Sequence, residues 1–255
     1  MTNKHSRIQE GQVTVSIVSH GHCSMLNNLL MQINDLESPI AHVIITHNIP
    51  SNLMLDESSF SFQVTVIRNK FPSGFGRNHN QAFKYCATEY FCVLNPDVEF
   101  LKDPFYELID CLKDKNIGIA APIVFNSYGI IEDSHRKFPT PLLILKKVFF
   151  NEKGLYKLDS ESRFTYPDWV AGMFMLARSS TYKILDGFDE KYFLYYEDID
   201  FCLRSWRAKK SVVVSKNVSI IHNAQRDSHI KLKFFILHFK SMCRFFLKHW
   251  LRFPR

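Results

Sequence analysis

The sequence predicts an α/β fold built around a largely parallel sheet. Short runs rich in β-branched residues, such as VTVSIVS at 13–19, alternate with segments whose apolar residues recur at helical spacing, such as 24–36. Strands that are separated by helices in this way usually pair in parallel. The 255 residues, 46% of them hydrophobic and 22% charged, are enough to bury one sizeable core.

The predicted elements follow one another in a regular order through the first half of the chain. The strands are 13–19, 42–48, 64–69, 90–95 and 117–122, and the helices between them are 24–36, 78–87 and 104–115. Residues 126–167 are less regular, and HRKFPTP at 135–141 is a predicted loop. Beyond it we expect a strand at 168–178, a turn region at 185–193, a helix at 197–209 and two short strands in SVVVS and VSIIHN. Ligands of such sheets bind just beyond the carboxyl ends of the strands.

Composition and cysteine spacing exclude several classes of protein. The six cysteines include no C-x-x-C pair, which argues against a zinc site or a disulfide framework and favours free thiols in a reducing cytosol. The polar first dozen residues lack the apolar core of a signal peptide, and no run of about 18 apolar residues predicts a membrane span. We therefore expect a cytoplasmic protein.

The excess of positive charge is confined to residues 229–255. This segment carries seven Lys or Arg and no acidic residue, which leaves 25 of the 32 basic residues to balance the 25 acidic ones elsewhere. We therefore divide the chain into a domain at 1–228 and a basic, aromatic helix at 229–255. In a helix the charges form one stripe at Lys240, Arg244, Lys248 and Arg252, and apolar residues form another at Phe235, Phe239, Met242, Phe246 and Trp250.

Such a helix is typical of segments that lie on an anionic membrane surface. Each basic residue near that surface contributes on the order of 1 kcal/mol. Two alternatives remain open. The helix packs on the domain with its lysines in solvent, or it binds nucleic acid, although no recognised nucleic-acid module accompanies the charge.

Asn-Pro-Asp at 95–97 follows the fourth predicted strand directly. The ring of Pro96 fixes its own φ and pushes Asn95 out of the helical region, so the directions of both flanking side chains are set. Mg²⁺ keeps several waters and needs only one or two carboxylates when substrate phosphates supply further oxygens. Asp97 alone can therefore serve a metal-diphosphate site, although a simple turn explains the same residues equally well.

A second acidic cluster begins the helix predicted at 197–209. Glu197, Asp198 and Asp200 fall in its first turn, where the helix dipole favours negative charge. Asp200 and Arg204 have the spacing of an ion pair, and capping explains one of the other two carboxylates. Two adjacent carboxylates behind the aromatic stretch FLYY indicate more than capping, because a carboxylate walled by aromatic rings can act as a general base.

Two further features are weaker signals. In FPSGFGRNHNQAF at 71–83, two glycines precede a helix, so their backbone amides suit an anion or a ribose. The glycines are Gly74 and Gly76, and polar side chains follow at Arg77, Asn78 and Asn80. His222 ends an apolar run, where a lone histidine is more often structural than a ligand.

These segments, taken in order, resemble the inverting family-2 nucleotide-sugar glycosyltransferases. Among these the similarity is strongest to the bacterial rhamnosyltransferases of O-antigen and capsule assembly. It covers residues 13–223 and depends on seven motifs in one order: VSHG, GFGRNHNQAF, LNPDVEF, HRKFPTP, DWVAGMFMLAR, LDGFDEKYFLYYEDIDFCLR and IIHN.

The resemblance implies a GT-A fold, a nucleotide-binding α/β sandwich with a mixed, mostly parallel sheet. Asp97 matches the metal carboxylate of the family's Asp-x-Asp motif, and His222 matches a histidine that helps to hold Mg²⁺ or Mn²⁺ with the diphosphate. Glu197-Asp198 matches the family's Glu-Asp motif, with Asp198 as the general base. The implied nucleotide-sugar side is Ser19, Asn48, Gly74, Gly76, Arg77, Asn78, Asn80, Asn95 and Asp97, and the acceptor and diphosphate side is Arg136, Asp168, Trp169 and Gly172.

The sequence departs from the family pattern at the end of the second strand. An Asp-Asn pair is common there, with the Asp near the base of the nucleotide, whereas this chain has His47 before Asn48. A neutral histidine can still accept a hydrogen bond from a pyrimidine N–H. The departure affects how the base is recognised and leaves the reaction class unchanged.

The predicted function is that of a metal-dependent inverting glycosyltransferase on the inner face of the cytoplasmic membrane. The favoured donor is dTDP-rhamnose, and the acceptor is a lipid-linked or growing oligosaccharide of a surface polysaccharide. No nucleic-acid partner is expected, and the oligomeric state is left open. Two alternatives remain: a galactosyl, glucosyl or N-acetylhexosaminyl transferase that uses a UDP-sugar, and a non-catalytic binding subunit. The combination of Asp97, Glu197, Asp198 and His222 counts against the second.

Overall fold

The computed structural model describes residues 12–21, 23–50, 56–150, 154, 156, 162–223, 232–250 and 253. Its strands are β1 (Val13–Ser19), β2 (Ile40–His47), β3 (Gln63–Arg68), β4 (Tyr90–Leu94), β5 (Val98–Phe100), β6 (Ile117–Phe125), β7 (His135–Arg136), β8 (Phe164–Thr165), β9 (Trp169–Val170), β10 (Phe174–Arg178) and β11 (Ser211–His222). Its α-helices are α1 (Cys23–Asp35), α2 (Phe75–Phe83), α3 (Phe105–Lys113), α4 (Pro141–Phe150), α5 (Ser179–Ile184), α6 (Glu197–Arg207) and α7 (Leu232–His249).

A nine-stranded mixed sheet forms the centre of the molecule. Its order is β3-β2-β1-β4-β10-β6-β11-β5, with β8 paired to β11. The pairs β1–β2, β2–β3, β1–β4 and β6–β11 are parallel, whereas β10 lies antiparallel between β4 and β6, and β5 is antiparallel to β11. Strands β7 and β9 form a separate antiparallel pair. The predicted α/β class and mostly parallel sheet are confirmed.

Apolar side chains cover both faces of this sheet. All seven residues of β1 are buried, as expected for a central parallel strand with helices on both sides. On one face α1 buries an i, i+3, i+4, i+7 set of side chains, Leu26, Leu29, Leu30 and Ile33. On the other face Phe91 of β4 packs with Tyr182 and Phe201 from α5 and α6.

The structure corrects several predicted elements. The prediction of one strand at 168–178 is wrong. Residues 171–173 are not in a strand, and they separate β9, which pairs with β7, from β10 in the main sheet. The two short strands predicted after residue 210 are one strand, β11, with an irregular register between Ser215 and Ser219. The loop predicted at 135–141 contains β7, and helix α2 begins three residues earlier than predicted. No helix was predicted at α4.

The C-terminal helix packs on the domain through one face. Ser241, Phe245 and His249 are buried, and the Phe245 ring lies 5.4 Å from that of Tyr196. Parts of the predicted tail lie outside the described residues, namely 229–231, 251, 252, 254, 255 and the boundary at 228. Within the described ranges, none of the helices has the length and apolar character needed to cross a bilayer.

A buried carboxylate joins α7 to α6. Asp200 is fully buried, and its Oδ2 accepts a hydrogen bond from Arg204 Nε at 2.7 Å. Its Oδ1 accepts from Lys248 Nζ and His249 Nε2, also at 2.7 Å. Burial alone would raise the pKa of Asp200, but His249 and the two cations outweigh it and lower the pKa to about 2. The predicted Asp200–Arg204 pair is therefore part of a four-residue network.

We predict that Asp200→Asn destabilises the protein by about 3 kcal/mol, because it leaves Arg204, Lys248 and the buried His249 without the carboxylate that all three contact. The free energy of unfolding in urea measures this loss. The matched control is Asp110→Asn, which breaks an exposed pair with Arg163 and should cost far less. Equal losses in the two variants would contradict the structural role of Asp200.

Candidate active site

The carboxyl ends of β1, β2 and β3 lie side by side and bring several predicted residues together. Ser19 pairs in register with His47, and His47 with Arg68. Asn48 follows directly and is fully buried. Its Oδ1 accepts hydrogen bonds from Asn69 Nδ2 at 2.8 Å and from the Ser73 amide at 2.7 Å. The predicted residues Ser19 and Asn48 therefore belong to one polar cluster.

Asn69 extends this cluster to helix α2. Its Nδ2 also donates to Asn78 Oδ1 at 2.8 Å, so three buried or half-buried amides join β2, β3 and α2. Asn69 was not predicted, although it follows the third strand as Asn48 follows the second. Its position at the carboxyl end of a strand, where ligands of such sheets bind, is the signal that identifies it.

Two polar groups in the same place lack partners. Among the described residues, neither the Ser19 hydroxyl nor either ring nitrogen of His47 has a hydrogen-bond partner, and all three atoms are buried. Burial lowers the pKa of His47, and the nearby Arg68 lowers it further. The imidazole is therefore neutral at neutral pH, which is the form that the sequence argument required.

The glycine segment lies against the chain that leads into Glu197. A Cβ added at Gly74 would lie 2.9 Å from the carbonyl oxygen of Phe193, and one at Gly76 would lie 2.5 Å from Phe188 Cβ. The Phe75 amide donates to the same Phe193 carbonyl at 2.9 Å. Both glycines are thus required for close packing against Phe188 and Phe193. The predicted contact of their backbone amides with a nucleotide sugar stays a prediction.

The polar residues after these glycines have different environments. Arg77 is largely exposed, and its Nε lies 3.7 Å from Glu190. Asn80 instead holds the 187–190 turn, because its Oδ1 accepts from the Phe188 amide at 2.9 Å and its Nδ2 donates to the Phe188 carbonyl at 2.8 Å. Their predicted contact with a nucleotide sugar stays a prediction.

Asp97 and His222 meet in space. His222 ends β11, which is antiparallel to β5, and its Nε2 lies 3.3 Å from Asp97 Oδ1. Its Nδ1 lies 2.9 Å from Glu132 Oε2. Burial alone would lower the pKa of His222, but the two carboxylates outweigh it and raise the pKa. Glu132 was not predicted, and no local pattern marks it within the irregular region 126–167.

A short backbone path connects Asp97 to the second acidic cluster. The Asn95 amide donates to the carbonyl of Met173 at 2.9 Å. The amide of the adjacent Gly172 donates to Asp198 Oδ2 at 3.1 Å. The break between β9 and β10 therefore places the Asn-Pro-Asp turn next to the Glu-Asp pair.

Glu197 and Asp198 begin α6 after an unusual bend. Tyr195 and Tyr196 both have φ near +70°, a conformation that costs about 1–2 kcal/mol for each residue of this kind. Burial and the charge of Asp198 raise the pKa of Glu197 to about 8. Burial also raises the pKa of Asp198, although the amides of Ile199 and Gly172 oppose this.

A cavity of about 250 Å³ lies beside this pair. Its lining includes Glu197, Asp198, Arg136 and Trp169, so it contains two of the predicted acceptor-side residues. Arg136 pairs with Asp133, and its guanidinium lies 5.8 Å from the Trp169 ring. A larger cavity of about 530 Å³ lies by the 185–190 turn and includes neither Asp97 nor Asp198.

The other two acceptor-side residues support the site from within. Asp168 accepts from the Phe138 amide at 2.8 Å and from the Tyr156 hydroxyl at 3.2 Å, which ties the 136–140 loop to β9. Gly172 holds Asp198 and has the Phe75 ring 3.1 Å from where a Cβ would be.

Comparison with known proteins identifies the family. The model of glycosyl transferase family 2 matches residues 43–185, more than half of the chain. The rhamnosyltransferase WbbL of Escherichia coli (strain K12) is 30% identical over 247 residues, which are 91% of this chain and 92% of WbbL. The chain belongs to glycosyl transferase family 2.

Two further comparisons are informative. An N-acetylglucosaminyl-diphospho-decaprenol L-rhamnosyltransferase of Mycobacterium tuberculosis is 25% identical over 164 residues, 61% of this chain and 53% of that protein. The crystal structure of GalNAc-T7 with UDP, GalNAc and Mn²⁺ matches with a TM-score of 0.64 at 14% identity, over 85% of this chain and 44% of that one. The predicted GT-A fold and the similarity to bacterial rhamnosyltransferases are confirmed.

We predict that Glu197→Gln raises the thermal stability of this family-2 protein increasingly as pH rises. A carboxyl with a raised pKa binds its proton more tightly when folded, so the wild type loses stability between about pH 4.5 and pH 8. The glutamine variant lacks this loss. Melting temperatures across that range measure the difference.

The matched control is Glu89→Gln at an exposed position. A Glu197→Gln effect that does not change with pH would contradict the buried, protonated state of Glu197.

Proposed function

We propose that this protein transfers L-rhamnose from dTDP-rhamnose to a lipid-linked saccharide, with inversion at the anomeric carbon, during synthesis of a surface polysaccharide such as O-antigen or capsule. The observation that carries the proposal is the short path from Asp97 and His222 to Asp198 through the Asn95–Met173 and Gly172–Asp198 hydrogen bonds. For transfer to occur, the diphosphate of the donor and the hydroxyl of the acceptor would have to lie close together in the same way. The names of the two related rhamnosyltransferases support the sugar.

A divalent metal fits the pair formed by Asp97 and His222. Asp97 Oδ1 is buried and accepts no hydrogen bond of normal geometry from the described residues, although His222 Nε2 lies 3.3 Å away; carboxylate oxygen with imidazole suits Mg²⁺ or Mn²⁺. The described residues contain no group of three or more His, Cys, Asp or Glu side chains that could hold a metal ion. The donor diphosphate would therefore complete the site. A bound metal would supply positive charge against the leaving nucleoside diphosphate.

Asp198 is the group that removes the acceptor proton. Its carboxylate lines the cavity, and the Gly172 and Ile199 amides hold its two oxygens in place. The ionised form accepts the proton of the acceptor hydroxyl as the oxygen attacks the anomeric carbon from the face opposite the diphosphate. Base catalysis of this kind contributes roughly 10²–10⁴-fold. Glu197, whose pKa burial and the charge of Asp198 raise to about 8, carries its proton at neutral pH.

The proposed place of action is the inner face of the cytoplasmic membrane. The mycobacterial relative is named for a diphospho-decaprenol acceptor, and a comparable acceptor here would be held in a bilayer. Helix α7 exposes Phe235 and Phe239 alongside the basic residues Lys233 and Lys240, and Trp250 is exposed directly after the helix. Of the predicted apolar stripe, Met242 and Phe246 pack towards the domain instead.

We predict that Asp198→Asn abolishes transfer while donor binding survives, because the amide keeps the shape but accepts no proton. Thermal shifts against a panel of nucleotide sugars with Mg²⁺ measure binding, and product formation measures transfer. In the wild type kcat/KM should rise with pH until the raised pKa of Asp198 is passed.

Near-wild-type transfer by this variant would exclude Asp198 as the base. A larger shift with UDP-galactose, UDP-glucose or a UDP-N-acetylhexosamine than with dTDP-rhamnose would favour the UDP-sugar alternative. Binding without hydrolysis or transfer in the wild type would favour a non-catalytic subunit.

We predict that Glu132→Leu weakens Mn²⁺-dependent binding of the nucleoside diphosphate by about 10–100-fold, because His222 loses the partner that orients its ring. Glu132→Gln keeps an acceptor for Nδ1–H and should lose much less. Calorimetric titration with dTDP or UDP, with and without Mn²⁺, separates the effects. Equal Mn²⁺ dependence in wild type and Glu132→Leu would contradict this role.

A further inference from the structure

Helix α4 presents an apolar face that the proposed function does not explain. Four of its ten residues are large, apolar and largely exposed: Leu142, Leu145, Phe149 and Phe150. The first three are spaced by three and four residues, so they share one face of the helix. Nearly half of the exposed large apolar side chains in the described part of the chain lie on α4, on α7 or at Trp250.

The cavity beside Glu197 and Asp198, called the acceptor cavity below, lies between α4 and α7. Leu143 and Ile144 of α4 contribute to its lining, and so do His238 and Met242 of α7. The same cavity contains Asp198. The two helices that expose apolar side chains to solvent therefore also contribute walls to the cavity that contains the proposed base.

The groups that line the cavity suit the three parts of a saccharide linked through a diphosphate to a lipid. Asp198 would face the sugar hydroxyl. Lys137, with Arg136 and its partner Asp133 beside it, would supply positive charge to a diphosphate. Leu143, Ile144 and Pro139 offer apolar contact. A water-soluble sugar acceptor would need no such apolar side.

Charge identifies a bilayer as the occupant of the exposed faces. Neither residues 141–150 nor residues 232–250 contain an acidic residue, whereas both contain lysines. A second copy of the chain, docked by the same faces, would bring these like charges together. An anionic lipid surface attracts them and takes up the apolar side chains.

We propose that α4 and α7 form a two-helix membrane surface around the acceptor cavity, so that a lipid-linked saccharide enters the site directly from an anionic bilayer. The proposal rests on the proposed function for the identity of the acceptor. It adds α4 as a membrane contact and makes the space between the helices the acceptor's path.

Co-sedimentation of the full chain with vesicles tests the membrane surface. The vesicles are phosphatidylglycerol mixed with phosphatidylcholine, and phosphatidylcholine alone. The double variant Phe149→Ser/Phe150→Ser on α4 should bind the mixed vesicles about tenfold more weakly than wild type, and Phe235→Ser/Phe239→Ser on α7 should show a similar loss. The matched control is Tyr106→Ser/Ile184→Ser, two exposed apolar residues on α3 and α5, which should bind as wild type does.

Fluorescence quenching then tests whether both helices reach the same depth. The indoles introduced by Phe149→Trp and Phe239→Trp should both be quenched by brominated lipid, compared with the wild type that has Trp169, Trp206 and Trp250 alone. Quenching at position 239 without quenching at 149 would overturn the two-helix surface, as would wild-type vesicle binding by the α4 double variant. Self-association of the wild type that the α4 changes abolish, without vesicle binding, would show a protein interface instead.

Failure of this inference is distinguishable from failure of the proposed function. The thermal shift with nucleotide sugar and Mg²⁺ does not depend on α4, and the α4 variant should retain the wild-type shift. A wild type that binds vesicles through both helices but shows no shift would overturn the proposed function and leave the membrane surface in place.

Discussion

The buried carboxylate of Asp200 is the interaction on which the arrangement of the site depends. It lies in the first turn of α6, two residues after Asp198, and the cations Arg204 and Lys248 converge on it together with His249. Arg204 also donates to the carbonyls of Leu185 and Gly187, at 2.7 Å for the latter. Through Arg204 and Lys248, this carboxylate fixes α6, the 185–190 turn and α7 relative to one another. A buried charge is tolerated only when it is paired and hydrogen-bonded. The three elements must therefore pack together for Asp200 to be stable in the interior.

The same network holds a strained bend. Tyr195 and Tyr196 adopt left-handed conformations that aim Glu197 and Asp198 towards the cavity. Helix α7 supports them, because Ser241 donates to the Leu194 carbonyl at 2.8 Å and Phe245 packs on Tyr196. The C-terminal helix is therefore structural on one face while its other face is exposed. Domain packing therefore applies to one face of this helix, and membrane binding stays a proposal for the exposed face.

Sequence reasoning succeeded where the signal was local. Alternating strands and helices, together with seven ordered motifs, were sufficient for the α/β class and the family, and the Asn-Pro-Asp turn lies directly after β4 as predicted. It failed where a role depends on distant partners. Glu132 reaches His222 across 90 residues, and nothing near Glu132 in the chain indicates this contact. The packing of Gly76 against Phe188, more than 100 residues away, likewise has no local signature, and the predicted contact of Gly76 with a nucleotide sugar stays a prediction.

These successes and failures divide the protein into two halves. The ends of β1 to β4, which were predicted most accurately, form the side proposed for the donor, and parallel strands with buried apolar runs are the elements with the strongest sequence pattern. The cavity proposed for the acceptor is built from a two-residue strand pair, an unpredicted helix and the C-terminal helix. Its walls are short amphipathic segments that are stable only when packed on the domain. Changes in α4 would therefore alter the cavity wall without disturbing the sheet, because Asp198 is held by the Gly172 amide and follows the bend that α7 supports.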